Sequence, residues 1–565
     1  MAAAKKFTAT VLALLAATAA SPLAPLQILR SRGGVLDVSL HVVPGVFKIS
    51  SKLSLRTRTY NASVPGPFMR VKRGDLLRMR LVNQLAGGDG LSGSKPDVNA
   101  TNLHLHGMHL PATPLDAERG TCGDNIKCIV HPGRELTFEY RIPADHPTGT
   151  FWYHPHVHGT TALQVGGLMA GAIVVEDDPR ELSHSLEQMP DVVLLIQMLH
   201  YEAIGAVTHA AIVSKRNDQD FSIYEGPKVN TILVNGQFMP SISLRSREAQ
   251  RLRLINANEV ANFELVVSGG SCSMFSIAYD GVYLDKAVLE QVIILPVGGR
   301  ADVVMVCHDA GEFLLTSERN SSRDTLMGHH GRISAPIMRL VVTSSAPSAA
   351  EREGSEGWGP RCEGIGGGKC GADGGIGNLP ARPPYMQGSL ASAPLLADVY
   401  DLKMGQRGAH GQSEVYLLND KPYLEAQELV PRVLSLGAVD EWRLWTDAAP
   451  GTASHAHPFH AHVNHFQVIG YEMDEGVADD HHLQEGNGGS PSGSAGAVMK
   501  RLVGQWRDTL LVPAGRTTIR IRFLPVAWCG EMVRPTDAIP PHILDSRFAG
   551  GVEACFGASD PVDVV

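Results

Sequence analysis

The chain has 565 residues, 59 of them glycine and 35 proline, and 44% of it is apolar. That is too long for one hydrophobic core and fits a turn-rich globular protein of about three or four domains, not a disordered one. A net charge of −9 lacks the basic excess of a nucleic-acid binder, so no such partner is expected. No segment after the N-terminal region has the roughly 18 uninterrupted apolar residues of a membrane span.

Lys5 and Lys6 precede an apolar run at 11–20, and Thr18-Ala-Ala offers a small-residue cleavage site. Residues 1–20 therefore read as a secretory signal peptide, and the mature protein is expected to be secreted or extracellular, soluble and monomeric. Sequons at Asn61, Asn99 and Asn320 fit a glycoprotein on that route. Eight cysteines are compatible with an oxidising compartment. Cys122/Cys128 and Cys362/Cys370 are close enough in sequence to pair, whereas Cys272 and Cys307 read either as a third pair or as two buried thiols.

Short runs rich in Val, Leu and Ile follow, separated by Gly, Pro and Asn, for example at 38–49, 76–82, 136–142 and 172–175. Many short strands between turn signals predict β-sandwiches or barrels. One pattern recurs at 71–83, 244–256 and 433–445. Three occurrences about 180 residues apart predict three copies of one domain, at 35–178, 190–345 and 396–565. Residues 346–395 are rich in Gly, Ser and Pro and read as a linker or exposed loop. Residues 474–497 read as an acidic, Gly/Ser-rich insertion into solvent, with a solubilising loop as their simplest role.

Histidine carries the chemistry. Composition predicts roughly one His-x-His pair by chance, yet five occur: His104/His106, His154/His156, His156/His158, His455/His457 and His460/His462. Two residues apart on a strand, both rings of a pair face the same way. His104, His106, His154 and His156 lie near one end of the chain, and His460 and His462 near the other, which predicts a site between the first and third domains. Neutral imidazole is the usual protein ligand for copper and zinc. Six or more imidazoles exceed the four ligands of a closed zinc site and favour a copper cluster. His109, His158 and His465 stand beside these motifs but off their spacing, and read as supporting or merely polar residues.

Several motifs occur together and in order: Tyr60-Asn-Ala-Ser-Val-Pro-Gly-Pro-Phe, His104-Leu-His-Gly, Gly149-Thr-Phe-Trp-Tyr-His-Pro-His, Gly167-Leu-Met-Ala-Gly-Ala-Ile-Val-Val, Val234-Asn-Gly, His457-Pro-Phe-His-Ala-His and Trp506-Arg-Asp-Thr-Leu-Leu-Val-Pro. With them the chain resembles the multicopper oxidases, which include laccases and ascorbate oxidases. The resemblance implies an all-β chain of three consecutive cupredoxin-like Greek-key domains. It also implies a type 1 copper that takes single electrons from a phenolic, small organic or metal-ion reductant, and a trinuclear cluster that reduces dioxygen to water. Carried over by position, His104 and His460 would hold type 2 copper. His106 and His154 would belong to one type 3 ion, His156 and His462 to the other, and His457 to type 1. Asp124, in Gly-Asp-Asn, would be a carboxylate behind the ligands that helps deliver protons. Read from its residues alone, it is equally a turn aspartate in a loop bounded by cysteines.

The pattern breaks near the C-terminus. The family's last motif, His-Cys-His-x-x-x-His, should follow Trp506-Arg-Asp-Thr, but after Val533 the chain reads Arg-Pro-Thr-Asp-Ala-Ile-Pro-Pro-His542-Ile-Leu-Asp-Ser. If register holds, His542 completes the site of His106 and His154. Pro540 and Pro541 then replace the first histidine and the type 1 cysteine, and Ser546 the last histidine. Proline coordinates nothing, and His457 alone cannot form a blue-copper centre. Neither Cys529 nor Cys555 has the flanking histidines of a replacement thiolate ligand. Either the reading frame after Val533 is misread, or the chain is a copper-binding cupredoxin protein without type 1 copper and oxidase turnover. The abruptness of the change, with everything upstream intact, favours the first.

Overall fold

The computed structural model describes residues 21–50, 53–87, 98–157, 160–199, 223–225, 230–269, 271–327, 332–344, 376–395, 399–407, 415–418, 421–422, 437–446, 456–472, 495–513 and 515–522. The signal region, Cys362, Cys370, Cys529, Cys555, His158, His542 and the prolines at 540 and 541 lie outside these residues.

The architecture is all-β, and the recurring sequence pattern explains it. Leu76–Asn83, Ala249–Asn256 and Val439–Thr446 take the same place in three sheets. Each runs parallel to an opening strand: Val35–Ser50, Asp191–Leu199 and Tyr400–Arg407 respectively. Each then pairs antiparallel with a closing strand: Glu135–Arg141, Arg300–Cys307 and Gly515–Arg522. The side chain that ends the repeat ties down a loop. Asn83 donates through Nδ2 to the carbonyls of Asn99 and Val130, at 2.7 and 2.9 Å. Asn256 does the same to Ala261 and Leu295, also at 2.7 and 2.9 Å, and Thr446 donates to the Pro513 carbonyl.

Each large sheet faces a smaller one, and three apolar cores fill the spaces between. Leu40, Leu81, Phe138 and Ile173 represent the first, Leu254, Phe263, Val303 and Leu340 the second, and Trp442, Phe459, Phe466 and Ile519 the third. Alternation accounts for the burial. Gly515–Arg522 reads Gly-Arg-Thr-Thr-Ile-Arg-Ile-Arg, with Ile519 and Ile521 on the core face and the arginines only partly covered.

A second set of contacts locks the sandwiches together. Phe68, Trp152 and Val174 meet Val193, Leu195 and Ile255 across the first seam. Beside them Arg251 and Arg253 share Asp302 (2.5 and 2.9 Å), and Arg251 also reaches Asp177 at 3.0 Å. The Ala495–Leu502 helix buries Val498 and Met499 against Leu326, Met327 and Leu511.

Two expectations need correction. The described part of the expected linker or exposed loop, 376–395, is a strap anchored by a few buried side chains, with about half of its residues exposed. Met386 and Leu390 are buried with Val282, Val439 and Trp506, because these two apolar side chains in a Pro-rich run find a groove between the second and third sandwiches. The Asn99 sequon cannot carry a glycan on the folded chain. Its buried amide donates to the Ala86 carbonyl at 3.0 Å, and its oxygen accepts from Arg58 Nε at 2.7 Å; Asn61 and Asn320 are exposed. Disulfides join Cys122 to Cys128 and Cys272 to Cys307, the latter pair being cross-strand partners. No described helix is long and apolar enough to cross a membrane.

Candidate metal centre

The His104–His106 strand pairs antiparallel with Gly149–His154, which sets His104 opposite His154 and His106 opposite Trp152. His156 lies just past that strand, its backbone N–H held by Asn102 Oδ1 at 2.5 Å. From the third sandwich, the His457–His460 strand pairs with Thr509–Val512, with His460 opposite Thr509. His462 is not in the strand, as alternation predicted, but in the turn beyond it. There Ala461 donates to the Asp508 carbonyl at 3.0 Å, and Val463 turns the chain at φ +67°. His109 Nδ1–H donates to the Val463 carbonyl at 2.7 Å, so the first sandwich holds this turn.

Six imidazoles thereby meet between the first and third sandwiches. His106 stacks on His460 with centroids 3.7 Å apart, and His104 on His462 at 4.0 Å. His156 stands edge-on to both His104 (5.3 Å) and His462 (5.2 Å), while His154 stacks on Trp152 at 4.2 Å. Three donor groups converge within 4.8 Å: His104, His106 and His154; His104, His460 and His462; and His106, His460 and Asp508. His457 stands at the other end of its strand. Three residues along a strand places it on the face opposite His460. His542 lies outside the described residues.

Hydrogen bonds assign the tautomers. A carbonyl can only accept, so His460 Nδ1, 2.9 Å from the Asp508 carbonyl, carries a proton, as does His154 Nδ1, 2.9 Å from the Pro155 carbonyl. His104 Nδ1 donates to Asp124 Oδ2 at 3.1 Å. All three rings therefore present an Nε2 lone pair. For His104 and His460 that atom is buried with no hydrogen-bond partner among the described residues, the condition of an orphaned ligand atom. His106 is the other way round: its Nε2 meets the Thr509 hydroxyl at 3.0 Å and its Nδ1 lies 3.4 Å from His154 Nε2. Two nitrogens sharing one ion at about 2.0 Å each would sit about that far apart.

Burial, reinforced by the neighbouring imidazoles, holds His104, His106, His154 and His462 well below the usual imidazole range. Neutral rings with anchored N–H groups and free lone pairs are what copper needs from imidazole. The donor set fits copper.

Asp124 sits in the Cys122–Cys128 loop. Its Oδ1 accepts from the Leu105 N–H at 2.9 Å and its Oδ2 from His104. Burial pushes its carboxyl up to about 7, against the pull of the Leu105 N–H. Behind the rings lies a charged network, of which only His465 stood out in the sequence as a candidate supporting residue. Arg300 binds Asp508 through both terminal nitrogens. Asp280 accepts from the Arg300 and Thr509 backbone N–H groups at 3.0 and 3.2 Å, and His465 Nε2 meets the Asp280 carbonyl at 3.0 Å. Asp508 and Thr509 belong to the Trp506-Arg-Asp-Thr motif, but Arg300 is 208 positions away in sequence. Only the pair of glycines before it hinted at a close approach.

Two family models described as multicopper oxidase match residues 44–180 and 394–530. The multicopper oxidase of Staphylococcus aureus is 28% identical over 249 residues, 44% of this chain and 48% of that protein. The laccase of Bacillus subtilis is 25% identical over 518 residues, 86% of this chain and 90% of that one. The chain spans about half the length of the staphylococcal relatives it matches, 48 to 54%. The solved multicopper oxidase from Campylobacter jejuni, a metallo-oxidase, superposes with a TM-score of 0.59 at 20% identity, covering 90% of each chain. The one from Aquifex aeolicus gives 0.59 at 17%, covering 90% of this chain and 94% of that one. These likenesses place the sandwiches among cupredoxin-like folds. With both family models falling on the segments that supply the six imidazoles, the chain belongs to the multicopper oxidase family.

Proposed function

We propose that the protein is a laccase-like multicopper oxidase that couples one-electron oxidation of phenolic, small organic or metal-ion reductants to reduction of dioxygen to water. The observation that carries this reading is the set of six imidazoles from two sandwiches, five of them buried, with the ring protons of His104, His154 and His460 anchored on Asp124 and on backbone carbonyls. Copper, when bound, would supply the redox chemistry. His104 and His460 are proposed as the type 2 ligands, His106 and His154 as one type 3 pair, and His156 and His462 as the other. Asp124 keeps the His104 Nδ1–H in place and is proposed to pass protons towards the cluster. His457, on the opposite face of its strand, is proposed for the type 1 site, and His542 as the third ligand beside His106 and His154. The similarity to the laccase of Bacillus subtilis supports the laccase-like reading.

One observation favours a second reading. In the register that makes His542 a cluster ligand, Pro540 and Pro541 take the places of a histidine and the type 1 cysteine, so the chain as written would bind copper in the cluster without an electron inlet. Sequencing the natural transcript beyond Val533 separates the two. Recovering His-Cys-His there supports the oxidase, whose copper-loaded form should show an intense visible Cu–thiolate band and phenol-driven oxygen uptake. If the prolines are confirmed and the copper-loaded chain shows neither signal, the oxidase reading is lost and the copper-binding one stands.

A further inference from the structure

We propose that Arg300, a residue of the second sandwich that offers no metal ligand, sets the tautomer of His106 through Asp508 and Thr509 and so decides which nitrogen His106 presents to the metal centre. This rests on the reading above only in that the presented nitrogen would face copper.

The chain of donors closes in one way. Arg300 is fully buried. Its Nη1 donates to Asp508 Oδ1 at 2.7 Å, its Nη2 pairs with Asp508 Oδ2, and its Nε donates to the Thr150 carbonyl at 3.3 Å. One guanidinium thus joins all three sandwiches and holds the Asp508 carboxylate in a fixed plane. Asp508 Oδ1 lies 2.7 Å from Thr509 Oγ1. A threonine hydroxyl has one proton, and an ionised carboxylate beside it can only accept. With that proton on Asp508, the Thr509 oxygen can only accept, and its two lone pairs go first to its nearest other neighbours. Its other neighbours agree: His460 Nδ1, already identified as an N–H, at 3.2 Å, and Arg300 Nη1 at 3.5 Å. His106 Nε2, 3.0 Å away, must therefore be protonated, and His106 Nδ1 carries the lone pair that faces His154 Nε2.

The backbone is shaped around this relay. A Cβ on Gly107 would lie 2.0 Å from Arg300 Nη2 and 2.5 Å from Asp508 Oδ2. One on Gly298 would lie 2.7 Å from His106 Cε1. Both glycines have positive φ, +85° and +76°, so glycine serves there for conformation as well as space.

The test reads the tautomer by 15N NMR of histidine-labelled, metal-free protein, with His106 assigned by difference from His106→Gln. Wild type should show His106 as the Nε2–H form, and Thr509→Ser should keep it. Thr509→Val conserves shape and removes the acceptor. It should turn His106 to the Nδ1–H form donating to His154 Nε2, while the melting temperature stays within a few degrees. Copper bound per chain, measured by metal analysis, should then fall by at least one ion. Arg300→Lys keeps the charge and loses the fork, and should give a mixture of tautomers. If that variant does not fold, the Thr509→Val and Thr509→Ser pair decides alone. An Nδ1–H form in wild type, or an unchanged His106 in Thr509→Val, overturns the proposal. Because the tautomer is read without metal, the relay can stand when oxidase activity fails, and the reverse.

Discussion

At the scale of single residues, the charged groups behind the imidazoles do as much as the rings. Asp124→Asn keeps an oxygen for the Leu105 N–H but loses the charge that anchors His104, so copper affinity should fall by roughly 10- to 100-fold, measured by competition with a chelator. Glu259, which belongs to none of the ligand motifs, offers a pH experiment. It is buried, its Oε2 has no hydrogen-bond partner among the described residues, and burial pushes it up to about 7. A carboxyl raised in the folded state loses stability as pH rises from its unfolded value near 4.5 through 7. Glu259→Gln should therefore leave stability unchanged at pH 4.5 and increase it by up to about 3 kcal/mol at pH 8. Chemical denaturation at the two pH values checks this; equal effects at both would refute it. The six imidazoles were legible in sequence because each pair sits inside a short motif. Arg300 and Asp280 were not, since their importance lies in contacts with a segment more than 200 residues later, which local spacing does not carry.

At the scale of elements, strand alternation explained less than expected. Only His104 and His106 both lie within a strand; the other two pairs straddle a strand end, at His154 and His460. Backbone turns, among them the left-handed Val463, bring the second ring round. What sequence did reveal was the recurring strand, whose place between a parallel and an antiparallel neighbour is the same three times. The Pro-rich strap at 376–395 misled because its few apolar residues are spaced for a groove and not for a helix or strand. Arg520 grips its end through the carbonyls of Leu390, Ala391 and Ala393, at 2.7, 2.6 and 3.2 Å. Arg520→Ala should expose the strap, and limited proteolysis should cut within 376–395 several-fold faster than in wild type. Gly107→Ala combines positive φ with overlap on a buried ion pair and should cost roughly 3 kcal/mol, read as a lowered unfolding midpoint.

At the scale of the whole molecule, stability depends on charges that cannot reach water. Asp302 stands between Arg251 and Arg253 at the first seam. Asp302→Ala removes the carboxylate that two buried guanidinium groups share, leaving Arg251 only Asp177 and Arg253 Asp191 and Asp177, and should destabilise by about 3 kcal/mol, seen as early unfolding of the first two sandwiches in denaturant. The metal-free protein should also be sensitive to acid. Six histidines, at 104, 106, 109, 146, 154 and 462, are depressed by burial, His146 to about 3. Below the unfolded value near 6.5 each takes up a proton on unfolding, whereas the four carboxyls that burial raises, Asp124, Glu259, Asp280 and Glu290, act in the opposite sense. The histidines outnumber the carboxyls, so stability should fall as pH drops from 6.5 to 5, and bound copper should blunt the fall. A flat pH profile for the metal-free protein would contradict this.

The placement of the cluster between the first and last sandwiches also sets a schedule. His104, His106, His154 and His156 are made some 300 residues before His460 and His462. At ordinary translation rates that interval is roughly 15 to 60 seconds. Throughout it the nascent chain carries half a metal site, four imidazoles with no opposing wall, able to hold the wrong ion loosely. A site divided in this way would be complete only after synthesis, once the segment with His460 and His462 has docked, so the fidelity of its metal content would depend on timing as well as on ligand chemistry.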